Sequence, residues 1–250
     1  MVYTLGDAYV IKAENVSKLV SSLDGPQHIL RECELGIAER GLTAIVGPSG
    51  AGKTSLLYCL SGLDRPDTGR VWVDEVDLYS LNEESRARFI RRNIGYVFQQ
   101  YNLIPYLSID DNIRLPLALD KTPIDEKLLN STLERFGLAA RRGSRVSVLS
   151  GGEQQRAALC RAIVAQPRII FADEPTGALD TANTSIVLNE LRQLADTGRT
   201  VVMVTHDVES ASLADQVVFM RDGFISQVTG RLSPDQISHQ MARLGGNHDD

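Results

Sequence analysis

The sequence predicts an α/β fold: a mostly parallel sheet with flanking helices, an N-terminal antiparallel β subdomain and an inserted helical lobe. Three observations predict it. Short apolar runs rich in β-branched residues alternate with helical periodicity in both halves of the chain, as in a parallel sheet covered on both faces. At the N-terminus such runs are separated by turns alone. From residue 99 to 165 strand-like runs vanish and helical patterns replace them.

The elements follow in order. Residues 8–39 contain alternating runs such as Tyr9-Val10-Ile11-Lys12-Ala13, interrupted at Asp24-Gly25-Pro26, and read as antiparallel strands joined by a turn. Leu42-Thr43-Ala44-Ile45-Val46 reads as a buried strand. The helix expected over 53–63 sets Leu56, Leu57, Leu60 and Leu63 on one face. Strands are expected at 71–73 and 94–98, and helices at 108–119, 125–136 and 152–165. Strand-like runs resume at 168–172, 200–204 and 216–220, with a helix over 183–195 between the first two. The tail from Ser233 ends in Gly-Gly-Asn-His-Asp-Asp and is expected to fray at its tip. The expected organisation is one domain, with residues 1–98 and 166–250 as catalytic core and 99–165 as helical subdomain.

Composition narrows the function classes. A chain of 250 residues that is 43% hydrophobic and 23% charged can bury a sizeable core. Its formal net charge of −6 argues against a dedicated nucleic-acid binder, which carries a basic face. Arg86, Arg88, Arg91 and Arg92 cluster, and a solvated helix face explains them more simply. Cys33, Cys59 and Cys160 are far apart and lack C-x-x-C spacing, so small buried side chains in a reducing compartment are expected. His28, His206, His239 and His248 form no metal-ligand pattern. The N-terminus shows no secretory leader, and no apolar stretch approaches the roughly 18 residues of a membrane span. A protein of this kind works at a membrane only by docking on something that crosses it.

Gly47-Pro48-Ser49-Gly50-Ala51-Gly52-Lys53-Thr54 lies between the 42–46 strand and the next helix, which Ser55 continues. Glycines let consecutive N–H groups turn toward phosphate oxygens, Lys53 adds a point charge, and the Thr54 hydroxyl can ligate Mg²⁺. The helix N-terminus adds its dipole. A chance match to this spacing is on the order of 1% in a chain this long. The plainer alternative is a Gly-rich turn with an exposed lysine, and the flanking strand and helix weigh against it. The core is therefore expected to be of the P-loop NTPase kind.

The run 168–172 leads into Asp173 and Glu174 at a strand's C-terminal end, where ligands gather in such sheets. Asp173 would support the metal and Glu174 would orient or polarise the attacking water. Taken alone, the pair could equally end a strand in a polar turn before Pro175. Ser150-Gly151-Gly152 opens a further helix and forms a second anion-binding N-terminus. One nucleotide does not need two such loops from one subunit, so a head-to-tail pair closing over shared ATP is the economical arrangement. An ordinary Ser-capped helix is the alternative.

With Leu149-Ser150-Gly151-Gly152-Glu153-Gln154-Gln155-Arg156 added to these, the chain resembles an ABC-transporter ATPase subunit along almost its whole length. The resemblance implies that Gln99, within Tyr96-Val97-Phe98-Gln99, reaches the Mg²⁺ and links the site to the helical lobe. It implies that Asp180, in Ala178-Leu179-Asp180, crosses a dimer interface, and that His206, in Val204-Thr205-His206-Asp207, meets the γ-phosphate. Lys53, Gln99, Glu174 and His206 are thus the expected catalytic set, and Thr54, Gln99 and Asp173 the expected metal set. The phosphate loop, Ser55, Ser150, Gly151, Gly152, Asp180 and Val20 are expected around the nucleotide. Val20 stands where the family commonly has an aromatic residue on adenine, so the stacking contribution is lost. Phe98-Gln99-Gln100-Tyr101-Asn102-Leu103-Ile104-Pro105 and 111–117 are similar to the branch of macrolide exporters, lipoprotein-release complexes, peptide-antibiotic pumps and haem exporters. That branch implies ATP and Mg²⁺ as cofactors, transmembrane permease subunits and a second copy as partners, and a peripheral place on the cytoplasmic face of the membrane. A cell-division or signalling cassette that acts on a membrane partner without transport would look much the same. A chromosome-maintenance ATPase would need a long coiled-coil insertion, and a translation-factor ATPase two cassettes.

Overall fold

The computed structural model describes residues 9–22, 25–177 and 181–245. In chain order the elements are β1 (Tyr9–Ser22), β2 (Gly25–Ala38), β3 (Gly41–Val46), α1 (Lys53–Leu60), β4 (Thr68–Val73) and β5 (Val76–Asp77). Then come α2 (Glu83–Asn93), β6 (Ile94–Val97), α3 (Ile109–Leu119), α4 (Glu126–Arg135), α5 (Gly151–Val164) and β7 (Ile169–Asp173). The last are α6 (Thr181–Asp196), β8 (Thr200–Val204), α7 (Val208–Ser212), β9 (Gln216–Arg221), β10 (Phe224–Gly230) and α8 (Pro234–Gly245).

Two sheets result. An antiparallel sheet has the order β2-β1-β4-β5, and a six-stranded sheet has the order β10-β9-β3-β8-β7-β6. Every neighbouring pair in the second sheet is parallel except β9 with β10. This is the expected α/β P-loop NTPase architecture, but the antiparallel subdomain is not built from the N-terminal strands alone: β4 and β5, which follow α1, complete it beside β1 and β2.

The central strands are apolar at nearly every position because both faces are covered. Successive side chains still point to opposite faces. Ala44 and Val46 of β3, Ile170 and Ala172 of β7, and Val201 and Met203 of β8 join one buried cluster. That cluster holds Ile109 and Ile113 of α3, Leu129 and Leu133 of α4, and Leu159 and Cys160 of α5. Their neighbours Ile45, Ile169, Phe171, Val202 and Val204 join the opposite cluster, with Leu56, Leu57 and Leu60 of α1 and the inner face of the antiparallel sheet. Burying one such Ile, Leu or Phe contributes about 1.5–3 kcal/mol. All three cysteines are buried free thiols.

Helix starts follow local chemistry. Ser108 and Ser150 each close a capping box with the residue three positions on, and Asp125 and Asn82 cap α4 and α2. In α2 no residue is fully buried, acidic Glu83 and Glu84 begin it, and Arg91 and Arg92 end it, so the arginine cluster does lie on a solvated helix.

Several expectations are corrected. The first helix ends at Leu60 rather than reaching Leu63. The amides of Leu63 and Asp64 both turn back to the Tyr58 carbonyl, and Leu63 is left 45% exposed. The N-terminal runs merge into two strands of 14 residues each, and β2 already begins at Gly25, inside the expected turn. β10 and α8 were not expected: β10 is half polar, and Ser233, expected to open the tail, immediately precedes α8. Asp24 lies outside the described residues, as does the tip of the tail.

Candidate active site

The site gathers at the C-terminal ends of β3, β7 and β8. The loop from Gly47 to Gly52 leaves β3 and enters α1 without a side-chain cap, since Gly52 is the N-cap residue. The first amides of α1 therefore have no side-chain acceptor at this end, which suits an anion. Gly52 has φ +92°, and a Cβ there would stand 2.6 Å from the Ile29 carbonyl oxygen. The loop is also anchored from the far end of the chain: the Gly223 amide, in the β9–β10 turn, donates to the Ala51 carbonyl at 3.2 Å.

Lys53 is buried, and its ammonium donates to the carbonyls of Gly47 and Pro48, each at 2.9 Å. Burial lowers its pKa from the ordinary lysine value, while the carboxylates of Glu174 and Asp173 oppose that shift. Pro48, Ser49 and Gly50 are exposed, so the outer rim of the loop faces solvent; Ser55 is half-buried on α1.

Asp173 ends β7 and is 3% exposed. The Thr54 hydroxyl donates to its Oδ1 at 2.9 Å and the Tyr58 hydroxyl to its Oδ2 at 3.1 Å. Burial pushes the Asp173 carboxyl above its ordinary value, with the two hydroxyls pulling the other way. Glu174 follows at φ +44°, an unusual backbone for a non-glycine residue, and its amide donates to the Val204 carbonyl at 3.0 Å. That turn brings its carboxylate within 2.9 Å of His206 Nδ1, which stands just beyond β8. Gln99 follows β6 and is exposed, with Nε2 4.0 Å from where a Gly177 Cβ would be.

Ser150, Gly151 and Gly152 start α5. Ser150 is exposed, and its amide and hydroxyl donate to Glu153 Oε2 while the Glu153 amide donates back to the hydroxyl. Among the described residues, no hydrogen bond joins these three to the phosphate loop. Gln155, one turn on, is buried and donates to the Pro175 carbonyl at 2.6 Å. Near the other end of α5, Arg161 donates to the carbonyls of Asn102 and Tyr101 at 2.7 and 3.0 Å. Both of those residues adopt positive φ.

Lys53, Thr54, Asp173, Glu174 and His206 thus lie together, while no hydrogen bond among the described residues joins Gln99 to them. Val20 is 37% exposed on β1, opposite Gln27. Asp180 lies outside the described residues, together with Ala178 and Leu179. Tyr58, Gln155 and Arg161 are contacts that motif reading misses. For Tyr58 the available signal was its spacing of four from Thr54, which places both on one side of α1.

A profile described as ABC transporter matches residues 30–177, from β2 through the acidic pair. The chain belongs to the ABC transporter family. It is an ATP-binding, ATP-hydrolysing cassette of a membrane transporter. The bacitracin export ATP-binding protein BceA of Halalkalibacterium halodurans is 37% identical over 220 residues, which are 86% of the cassette and 87% of BceA. The macrolide export ATP-binding/permease protein MacB of Neisseria meningitidis serogroup B is 37% identical over 94% of the cassette, which spans 37% of MacB. The cassette spans half of a further relative, the putative ABC transporter ATP-binding protein MG065 of Mycoplasma genitalium, at 36% identity. Among solved structures, the ATP-binding cassette MJ0796, in a dimeric post-hydrolysis state bound to ADP and Pi, matches with a TM-score of 0.83. It is 33% identical, and the match covers 89% of this chain and 99% of that one.

Proposed function

We propose that the cassette hydrolyses ATP as half of a head-to-tail pair and so drives a transmembrane permease of an export or mechanotransmission-type system. The observation that carries this is the second anion-ready helix start. Ser150 and Gly151 are exposed, the hydroxyl is satisfied within its own turn, and among the described residues no hydrogen bond joins this helix start to the phosphate loop of the same chain. A second copy would bring its ATP to this helix end; the likeness to the dimeric MJ0796 cassette supports a pair. Asp180 would then cross between the copies.

Residues 47–52 with Lys53, Thr54 and Ser55 hold the phosphates through backbone amides, one ammonium and the α1 dipole. Val20 lies along the base without aromatic stacking. Thr54, Asp173 and Gln99 offer a hydroxyl, a carboxylate and an amide oxygen, all hard donors of the type Mg²⁺ takes. Such sites use one or two carboxylates plus substrate phosphates, so this small set fits. A Mg²⁺ held by Thr54, Asp173 and Gln99 would supply charge neutralisation at the nucleotide's phosphates. Glu174 orients the attacking water, and His206, 2.9 Å from it, is placed to meet the γ-phosphate. Catalysis is then mostly positioning and charge stabilisation.

No described helix is long and apolar enough to cross a membrane. The cassette would act at the cytoplasmic face by seating a permease element in the groove between α2, β6, α3 and α5. Ile90, Ile94, Phe98, Leu115 and Leu119 line that groove, with Arg91 and Arg161 beside them. The relatives BceA and MacB favour export. The test is Glu174→Gln. It should lower ATP turnover by 10²-fold or more and yield an ATP-dependent dimer in size-exclusion chromatography with light scattering. Normal turnover, or a monomer at saturating Mg·ATP, would refute the proposal.

A further inference from the structure

Thr54 is not the only α1 residue that reaches the metal-facing carboxylate. Residues four apart share a helix face, so Tyr58 stands one turn behind Thr54 on the side facing β7. Its hydroxyl donates to Asp173 Oδ2 at 3.1 Å while Thr54 holds Oδ1 at 2.9 Å. The carboxylate is gripped at both oxygens by two hydroxyls from one rigid helix. Asp173 itself is 3% exposed, so water does not readily replace either donor. Tyr58 is half-buried and packs against the cluster that contains Phe171, and its carbonyl receives the amides of Leu63 and Asp64. The backbone bonds hold the end of the helix, and the packing holds the ring beside β7.

We infer that Tyr58 is a positioning residue for the metal–nucleotide site: its hydroxyl sets the rotation of the Asp173 carboxylate, and with it the oxygen presented to the divalent cation. The inference rests on the metal–nucleotide reading of this site. Two donors on opposite oxygens define the carboxylate plane, whereas Thr54 alone leaves it free to swing about the Cβ–Cγ bond. A mere packing role for Tyr58 would need the ring and not the hydroxyl.

Tyr58→Phe separates the two, because it keeps the ring and deletes one oxygen. The measurement is Mn²⁺ binding to the full chain, followed by electron paramagnetic resonance, with and without a non-hydrolysable ATP analogue. Loss of one hydrogen bond to a buried carboxylate should weaken Mn²⁺ binding in the presence of the analogue about fivefold. Analogue binding without metal should not change. In an Asp173→Asn background the same substitution should have no further effect on Mn²⁺ affinity. Unchanged or tighter Mn²⁺ affinity in Tyr58→Phe overturns the inference. So does a fivefold loss that persists in the Asp173→Asn background, since the hydroxyl would then act elsewhere. If the unmodified chain shows no analogue-dependent Mn²⁺ site, the metal–nucleotide reading itself fails, and that outcome is distinct from the other two.

Discussion

Replacing Gly52 with alanine tests how the phosphate loop is held. Two separate costs meet at this position. Its φ of +92° lies in the left-handed half of the map, where an L-residue costs about 1–2 kcal/mol. In addition, the new Cβ would lie 2.6 Å from the Ile29 carbonyl oxygen and 3.1 Å from Leu30 Cδ2. That oxygen belongs to the β2 backbone, so relief requires moving a strand or the start of α1, at about 1–3 kcal/mol for an overpacked site. Together the expected penalty is about 2–5 kcal/mol, shared between stability and nucleotide affinity. Gly50 supplies the control. It too has positive φ, +78°, but a Cβ there meets nothing within 4 Å. Gly50→Ala should therefore cost only about 1–2 kcal/mol. The assay is urea unfolding of both variants alongside calorimetric titration with an ATP analogue. Gly52→Ala should exceed Gly50→Ala by about 1–3 kcal/mol in lost stability and lost analogue affinity taken together, at least about fivefold when read as an equilibrium constant. Equal behaviour of the two variants would refute the reasoning, because it would leave the Ile29 contact without consequence.

Other outcomes follow from contacts already described. Val20→Tyr restores an aromatic face and should tighten ATP-analogue binding by the monomer by about 1 kcal/mol; an unchanged titration curve would count against Val20 lying at the base. Arg161→Met removes the donors to the Tyr101 and Asn102 carbonyls, both in left-handed backbone, and should raise amide exchange across residues 99–103 with α5 itself unaffected. Asp215 gives a pH signature. Burial alone would raise its carboxyl, but the Leu42 amide together with Arg192 and Arg231 holds it below the ordinary aspartate value. A depressed acid stabilises the fold above its unfolded pKa of about 3.9 and loses that contribution as pH falls through the lower folded value. Asp215→Asn should therefore lower the neutral-pH melting temperature, while the two proteins converge once the pH falls below the depressed folded value.

Much of the fold was legible because its strands and helices obey different periods. The short apolar runs of β3, β7 and β8 read as strands covered on both faces, and capping residues at 108, 125 and 150 mark helix starts within a residue. What escaped was set by tertiary contact. Leu63 continues the leucine spacing of α1, yet the chain turns at Ser61 because the Tyr58 carbonyl captures two later amides. β10 alternates weakly because it is an edge strand with polar Ser226, Gln227 and Thr229. At the site, charged and glycine residues in fixed spacing announced themselves. Tyr58 did not, since an aromatic residue in a leucine-rich helix reads as packing. Its role depends on where β7 ends, a distance of 115 residues along the chain.

The floor under the phosphate loop has a consequence for synthesis. Three remote stretches meet there: Ile29, at a break in the β1–β2 register, the loop itself, and the β9–β10 turn at Gly223. The Gly223 carbonyl also accepts the Arg31 amide, so that turn clasps β2 and the loop at once. A nascent chain halted before residue 223 would carry every phosphate-loop residue yet lack the clasp beneath it. The phosphate loop thereby receives its backbone anchor from below only once the β9–β10 hairpin has closed.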